Sequence, residues 1–219
     1  MKHRLLSERK IEHTLAAPDP EHFPETVRPH QVHGVEVSVV DEQGRLSLSD
    51  ADAVISRQPG LAIGVVTADC VPILVAIDEG RAVSAIHAGW RGLAAGVVEE
   101  ALLALSAEAS FSGHDCVAVI GPHIGSCCYE VDGPVVEAFR PRYAEWLEEA
   151  CRPSRPDHFH LDLGEVVTKV LLKAGFPRDQ IGHVPDSCTL CSPEGFHSYR
   201  RDGESAGRML HWIAASGSS

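Results

Sequence analysis

Long apolar runs and basic residues are both scarce in this 219-residue chain. No run of 18 or more apolar residues occurs, so the sequence predicts no membrane-spanning helix. Lysine and arginine number 19 against 31 acidic residues, which gives a formal net charge of −12. A surface with this charge repels polyanions, so we expect neither nucleic acid nor an anionic membrane as a partner. A local arginine cluster could still bind a small anionic substrate.

The cysteines do not form an obvious disulfide pattern. There are seven of them, an odd number, and Cys127 and Cys128 are adjacent. Reduced thiols fit a cytoplasmic protein better, and the first residues are too short and too polar for a signal peptide. We therefore expect a cytoplasmic protein. We also expect it to be a monomer or a homodimer.

Apolar segments of strand length alternate with three helical segments, which predicts one α/β domain of mixed β-sheets with flanking helices. Residues 1–30 contain four prolines and show little periodicity, so we interpret them as an irregular lead-in to a domain over residues 31–214. The predicted strands are 35–40, 61–66, 73–77, 82–86, 116–120 and 181–184. The predicted helices are 92–106, 134–147 and 162–173. Residues 151–158 are predicted as a loop, and residues 209–213 fit a strand and a short helix equally well.

A predicted β-hairpin brings two reactive side chains together. Its strands, residues 73–77 and 82–86, are joined by a short polar turn. Cys70 precedes the first strand and His87 follows the second. Because the start of one hairpin strand lies beside the end of the next, we expect this thiol and this imidazole to meet at one edge of a sheet.

Cys70 and His87 allow two kinds of chemistry. With a third ligand they could hold a catalytic zinc ion, and His33 in Gln-Val-His-Gly is a candidate for that ligand. Without a metal, His87 could lower the pKa of Cys70 and make it a nucleophile. A buried cysteine can also be a small core side chain without a chemical role.

Other polar motifs carry weaker signals. Cys188 and Cys191 form a C-x-x-C pair without a second half-site at a familiar spacing, so we interpret them as two ordinary reduced thiols. His158 and His160 form an H-x-H pair within the predicted loop, which favours a solvated surface pair.

Four charged residues have two interpretations each. Arg200 and Arg201 could bind a phosphate or carboxylate, or form surface ion pairs. Asp69 and Asp52 could accept a proton or orient a water molecule, or serve as turn residues.

Seven segments, taken in order, resemble the YfiH-type laccase-domain family of multifunctional purine nucleoside phosphorylases. They are Gln-Val-His-Gly at 31–34, Asp-Ala at 52–53, Thr-Ala-Asp-Cys at 67–70, His-Ala-Gly-Trp-Arg-Gly at 87–92, Ile-Gly-Pro-His-Ile at 120–124 with Cys-Cys-Tyr-Glu-Val at 127–131, Asp-Ser-Cys-Thr at 186–189, and Ser-Tyr-Arg-Arg-Asp at 198–202 with Gly-Arg at 207–208.

The resemblance implies a zinc ion held by His33, Cys70 and His87. It also implies a single mixed-sheet domain, related in fold to the cytotoxic necrotizing factor deamidases, whose chain ends in a strand. The implied activities are phosphorolysis of adenosine, inosine and guanosine, cleavage of methylthioadenosine and deamination of adenosine. Purine nucleosides and phosphate are the implied partners.

We assign further roles around that metal. Catalysis is expected to involve Cys70 and His87, with Asp69 as proton carrier and Arg91 neutralising phosphate. The expected substrate contacts are Gln31, Asp52, Arg200 and Arg201.

The family usually carries some tens more residues before the Gln-Val-His motif, including a Thr-Arg-x-Gly-Gly turn. Residues 1–30 contain no such turn. We therefore expect the metal site to be retained and the wall of the purine pocket that this segment supplies to be missing.

Three alternative functions remain open. A copper polyphenol oxidase would need histidine-rich copper clusters, whereas the chain has one H-x-H pair and two methionines, which makes zinc the expected metal and copper the alternative. A metal-free thiol hydrolase would use Cys70 and His87 alone. A peptidoglycan-editing hydrolase is the third possibility.

Overall fold

The predicted hairpin forms the centre of the largest sheet. The structure is a computed structural model, and it describes residues 1–18, 23, 25–109, 115–192 and 195–217. Strands Val71–Ile77 and Ala82–Ala88 pair antiparallel across a short 3-10 turn. Both strands are buried along their whole length. This explains their largely apolar sequence, because a strand covered on both faces shows no apolar–polar alternation.

Twelve strands and six α-helices are formed by the residues that the structure describes. The strands are β1 (His13–Ala17), β2 (Val37–Val39), β3 (Ala53–Ser56), β4 (Ala62–Thr67), β5 (Val71–Ile77), β6 (Ala82–Ala88), β7 (Val117–Ile120), β8 (Glu130–Asp132), β9 (Cys151–Pro153), β10 (His158–Leu161), β11 (Ile181–His183) and β12 (Met209–Ala214). The helices are α1 (Arg4–Ser7), α2 (Trp90–Ala95), α3 (Val97–Glu108), α4 (Gly133–Ala150), α5 (Leu163–Lys173) and α6 (Tyr199–Asp202).

The central sheet has the strand order β11-β7-β5-β6-β3-β2, and a different layer covers each of its two faces. Ile73 and Ile86 belong to a core cluster that includes the apolar faces of α3, α4 and α5. Leu74 and Val83, on the opposite face, belong to a second cluster with Ile213 of the antiparallel sheet β1-β12-β4. A third sheet, β8-β10-β9, lies beside α4. The structure thus confirms the predicted α/β class with mixed sheets and flanking helices.

Two predicted helices differ in detail from the observed ones. Residues 92–106 were expected to form one helix, but Gly96 has φ 101° and separates α2 from α3. Glycine adopts this left-handed conformation without steric cost, which allows the chain to change direction there. Asp132 caps α4 by accepting a hydrogen bond from the Val135 N–H, and this helix is kinked at Tyr143, shortly after Pro141.

The irregular lead-in predicted for residues 1–30 is wrong for its first half. Leu6 of α1 and Leu15 of β1 are fully buried, and β1 pairs antiparallel with β12. The prolines that suggested irregularity follow β1 rather than interrupt it.

Other boundaries were predicted with mixed success. Residues 209–213, left undecided by periodicity, lie in β12, between β1 and β4, as the family resemblance implied. The loop predicted for residues 151–158 is instead largely the β9–β10 hairpin. Strand β3 was not predicted, although it lies next to β6 in the central sheet. No helix among the described residues is long and apolar enough to cross a membrane.

Candidate active site and metal centre

The predicted trio of His33, Cys70 and His87 meets at one end of the central sheet. Pro72 pairs with His87 in the hairpin register, so Cys70 lies just beyond the start of β5 and beside the end of β6. One side-chain donor atom from each of the three residues lies within 4.8 Å of the other two. The Cys70 Sγ atom is 3.9 Å from His33 Nε2. His33 is exposed and His87 is buried, so this group of donors opens to solvent on the His33 side.

Asp52 holds both histidines in place. Its Oδ1 atom accepts a hydrogen bond from His87 Nδ1 at 2.7 Å and another from the His33 N–H at 2.9 Å. Its Oδ2 atom accepts from the N–H groups of Val32 and Gly34 at 3.2 and 2.7 Å. Consecutive N–H groups gathered on one carboxylate stabilise the turn that carries His33, whose φ is 61°. Burial opposes ionisation of Asp52, but hydrogen bonds from His87 and Gly34 outweigh it and lower the pKa of this carboxyl.

This arrangement fixes the metal-binding face of His87. An ionised carboxylate only accepts hydrogen bonds, so Nδ1 of His87 carries a proton. This leaves Nε2 as the atom that can bind a metal together with His33 and Cys70. Carboxylate–histidine pairs of this kind orient metal ligands in many proteins. Two imidazole nitrogens and one thiolate form a donor set that suits a catalytic zinc ion, which keeps its fourth position for water or substrate.

Gly89 leaves the space that this trio needs. A Cβ atom at this position would lie 2.7 Å from His33 Cδ2 and 3.2 Å from Cys70 Sγ. The backbone here is ordinary for any residue, with φ −69°, so the requirement for glycine is purely steric.

Without a metal, Cys70 and His87 form an ion pair at neutral pH. Burial opposes ionisation of the thiol, but hydrogen bonds with His33 and His87 outweigh it and lower the pKa of Cys70 to about 6. Burial likewise disfavours the His87 cation, yet hydrogen bonds to Asp52 and Cys70 raise its pKa to about 9. The thiol is therefore ready to act as a metal ligand or as a nucleophile.

Asp69 organises the loops next to Cys70. Its Oδ1 atom accepts a hydrogen bond from the Thr189 hydroxyl at 2.5 Å, and its Oδ2 atom accepts one from the Arg200 N–H at 2.6 Å. Its carbonyl oxygen accepts from the Ile124 N–H at 3.0 Å. These contacts give Asp69 a positioning role in addition to the proton transfer predicted from the sequence.

Arg91 and Arg200 place positive charge within electrostatic reach of Tyr129, in a protein of strongly negative net charge. Both side chains are exposed, Arg91 over the Trp90 ring and Arg200 over the Tyr129 ring. Burial and the Cys70 thiolate raise the pKa of Tyr129 to about 12, and the two arginines partly oppose that rise. Tyr129 therefore lies within electrostatic reach of the thiolate and of both cations. It belongs to one of the family motifs, but nothing in its spacing predicted this position.

Three predicted substrate contacts have other partners in the structure. Asp52 is fully buried beneath the histidines, so it orients ligands and does not face a substrate. The amide of Gln31 pairs with both backbone polar groups of Val66, at 2.7 and 2.8 Å. The guanidinium of Arg201 is held by Asp202 and by the carbonyl oxygens of Phe196 and Thr189. Gln31 and Arg201 are therefore held by protein groups. The Arg200 guanidinium is exposed and donates to the Glu130 carbonyl at 3.0 Å.

The C-x-x-C pair, interpreted as two ordinary thiols, and the H-x-H pair, interpreted as a solvated surface pair, both have a more specific setting in the structure. Cys188 and Cys191 are not isolated, because their sulfur atoms lie within 4.8 Å of those of Cys127 and Cys128. The H-x-H pair is part of β10 rather than of a loop, and His160 Nδ1 is buried. Sequence spacing could not show the first relationship, since the two cysteine pairs are about sixty residues apart.

The chain belongs to the YfiH-type laccase-domain family. A model of the family described as multi-copper polyphenol oxidoreductase laccase matches residues 9–216. The fold agrees with this, because a YfiH protein of Bacillus licheniformis superimposes with a TM-score of 0.81 at 30% identity, over 88% of this chain and 74% of that one. YlmD of Geobacillus stearothermophilus gives a TM-score of 0.79 at 32% identity, over 90% and 76% of the two chains.

Curated relatives carry two kinds of enzyme name. A purine nucleoside phosphorylase of Bacteroides thetaiotaomicron is 37% identical over 81% of this chain, which spans 65% of that protein's length. The adenosine deaminase RL5, from an unknown prokaryotic organism, is 33% identical over 85% of this chain and 74% of its own length.

Proposed function

We propose that this protein is a zinc-dependent purine nucleoside phosphorylase that also deaminates adenosine and cleaves methylthioadenosine. The observation that carries the proposal is the open donor set of one cysteine and two histidines next to two exposed arginines. The names of the relatives supply the substrate class, purine nucleosides with phosphate as co-substrate. The odd number of cysteines supports a cytoplasmic location, where thiols stay reduced.

The chain's own residues supply most of the requirements of phosphorolysis. Phosphate must lie near C1′ while the glycosidic bond breaks and negative charge moves onto the purine. Arg91 and Arg200 neutralise that phosphate, and their exposed guanidinium groups match its oxygens in geometry. The Tyr129 phenol stays protonated at neutral pH, so it is available as a hydrogen-bond donor. Asp69 positions Arg200 through the backbone N–H of that residue.

His33, Cys70 and His87 would hold the zinc ion. A bound zinc ion supplies a Lewis acid that lowers the pKa of water towards about 7, which is the chemistry that deamination of a purine carbon requires. Asp52 prevents His87 from rotating away and keeps the His33 turn closed. Asp69, next to Cys70 in the chain, is the proton carrier in this proposal.

Zinc is favoured over copper by the ligands that the described residues offer. Multicopper oxidation needs a trinuclear site rich in histidine. Within the described ranges, the other group of three or more potential ligands consists only of cysteines. Metal analysis of protein purified without added metal tests this directly, and several coppers per chain would contradict the proposal.

A thiol hydrolase is the second candidate, and the ion pair of Cys70 with His87 is the observation that favours it. His33 distinguishes the two functions. A dyad needs only the thiol and one imidazole, so His33→Ala would leave a hydrolase active, whereas a zinc site would lose one of three ligands.

The decisive experiment incubates zinc-loaded protein with adenosine, with and without phosphate, and resolves adenine, inosine and ribose 1-phosphate. We expect adenine and ribose 1-phosphate only with phosphate, and inosine in both conditions. His33→Ala should abolish all three products. His30→Ala is the matched control, because His30 is exposed and pairs with Asp50 instead of the site. Absence of all products from the zinc-loaded wild type would overturn the proposal.

A further inference from the structure

A second group of potential metal ligands lies on two loops that contact Asp69. One loop follows Ile124, whose N–H donates to the Asp69 carbonyl, and the other contains Thr189, whose hydroxyl donates to the Asp69 side chain. The sulfur atoms of Cys127, Cys128, Cys188 and Cys191 all lie within 4.8 Å of one another, and the first and last of these are 3.6 Å apart. Four sulfurs at about 2.3 Å from one zinc ion form a tetrahedron with edges of about 3.8 Å. A disulfide instead needs two sulfurs at about 2.05 Å. The spacing therefore suits a shared metal ion.

The backbone around Cys188 directs N–H groups at this part of the site. The Gly125 N–H donates to Cys188 Sγ at 3.3 Å, and the Ser192 N–H closes the C-x-x-C turn by donating to the Cys188 carbonyl at 2.9 Å. N–H groups directed at a sulfur stabilise its charged form.

The two segments meet at Gly125. A Cβ atom there would lie 3.4 Å from both Cys127 Sγ and Cys188 Cβ, which is ordinary van der Waals contact. The Thr189 N–H continues the contact by donating to the His123 carbonyl at 3.0 Å. Two loops distant in sequence thus converge on the four sulfurs.

We propose that Cys127, Cys128, Cys188 and Cys191 bind one zinc ion in a tetrahedral four-sulfur site, separate from the centre at His33. As zinc binds, each coordinating thiol gives its proton to solvent, so up to four protons are released and no redox step occurs. Four protein ligands close the coordination sphere, which is typical of a structural ion rather than a catalytic one.

The ion would act on the active site through Thr189. This residue lies between Cys188 and Cys191 in sequence, and its hydroxyl donates to Asp69 next to Cys70. Linking the two loops fixes Thr189, and through it Asp69 and the backbone of Arg200. The four-sulfur site is therefore a positioning element, and its existence does not depend on the purine assignment.

Zinc content of the purified chain provides the first test. After expression with zinc in the medium and metal-free gel filtration, wild type should contain about two zinc ions per chain. The double variant Cys127→Ser/Cys191→Ser and the single variant His33→Ala should each contain about one. Cys151→Ser is the matched control, since this partly buried cysteine lies outside both groups, and it should retain two.

X-ray absorption at the zinc edge of His33→Ala provides the second test and does not require a cysteine variant to fold. Its remaining zinc should show four sulfur neighbours at about 2.3 Å and no nitrogen. A wild-type content of one zinc, lost in His33→Ala, would overturn the proposal. So would a non-reduced mass 2 Da below that of the reduced chain, because a disulfide within the group would then replace the metal.

Discussion

Asp52 and His87 share a 2.7 Å hydrogen bond beneath the metal-binding trio, and both residues are buried. The same carboxylate accepts the His33 N–H, so one buried group fixes two of the three ligands. Removing the negative charge of Asp52 would therefore loosen both histidines at once.

Asp52→Asn should weaken zinc binding about 10- to 100-fold, the range typical of lost carboxylate–histidine partners. The asparagine side chain can accept from His87 only through its neutral oxygen, which holds an imidazole less firmly. Chelator competition measures the zinc dissociation constant. Asp50→Asn is the control, because this nearby carboxylate is exposed and should leave zinc affinity unchanged. Equal affinities for wild type and Asp52→Asn would show that this carboxylate does not support the metal.

Gly89→Ala should abolish zinc binding at the trio while the fold is retained. The added methyl group would lie 2.7 Å from the His33 ring, and the backbone conformation itself accepts alanine. Zinc content and circular dichroism check the two halves of this prediction. Gly133→Ala serves as control because a Cβ there meets nothing within 4 Å. Full zinc occupancy in Gly89→Ala would mean that the ligands do not sit as described.

Cys70 should be the fastest-reacting thiol of the metal-free protein at neutral pH. Its pKa is lowered to about 6, against about 7 for Cys188, whereas burial raises the pKa of Cys151 above its ordinary value. Alkylation by iodoacetamide, followed by peptide mass spectrometry, should show a midpoint near pH 6 for Cys70. Added zinc should protect this thiol by coordination. A midpoint above pH 8 would contradict the ion pair with His87.

His211 should make the protein sensitive to acid. It is fully buried, and the Ala16 N–H donates to its Nδ1 atom while its Nε2 atom meets the Thr67 hydroxyl at 2.9 Å. Burial, followed by the N-terminal charge and His87, lowers its pKa from 6.5 to about 3. Above pH 6.5 the ring is neutral in the folded and unfolded states, so it causes no pH dependence there. As the pH falls from 6.5 towards 3, only the unfolded chain takes up the proton, so stability is lost.

Urea denaturation of metal-free protein at several pH values measures that loss. The wild type should lose about 1.4 kcal/mol per pH unit more than His211→Gln below pH 6, because glutamine does not titrate. Titration of the other groups is common to both proteins and cancels in the difference. Parallel pH profiles for the two proteins would show that His211 is not neutral in the folded state.

The hairpin site illustrates how much the sequence predicts. Two apolar runs and a polar turn determined which strand ends meet, so the pairing of Cys70 with His87 followed from the sequence and is correct. The ordered motifs then determined the family, and with it the mixed-sheet class. These features depend on neighbouring residues or on the order of motifs along the chain. For this reason they can be predicted from the sequence alone.

Side-chain roles that depend on distant partners were not accessible in this way. Asp52 and Gln31 are polar residues within recognisable motifs, and only the structure shows that their side chains bond to His87 and to the Val66 backbone. The ordered β1 strand was missed because its partner, β12, lies at the other end of the chain.

The sequence by itself determined the hairpin, the three candidate ligands His33, Cys70 and His87, and the family. Only the tertiary structure decided that four cysteines from two loops form one group, and that Thr189 connects this group to Asp69. The physical reason is that periodicity and spacing describe neighbours along the chain, whereas the packing of loops over a sheet edge determines which distant side chains touch.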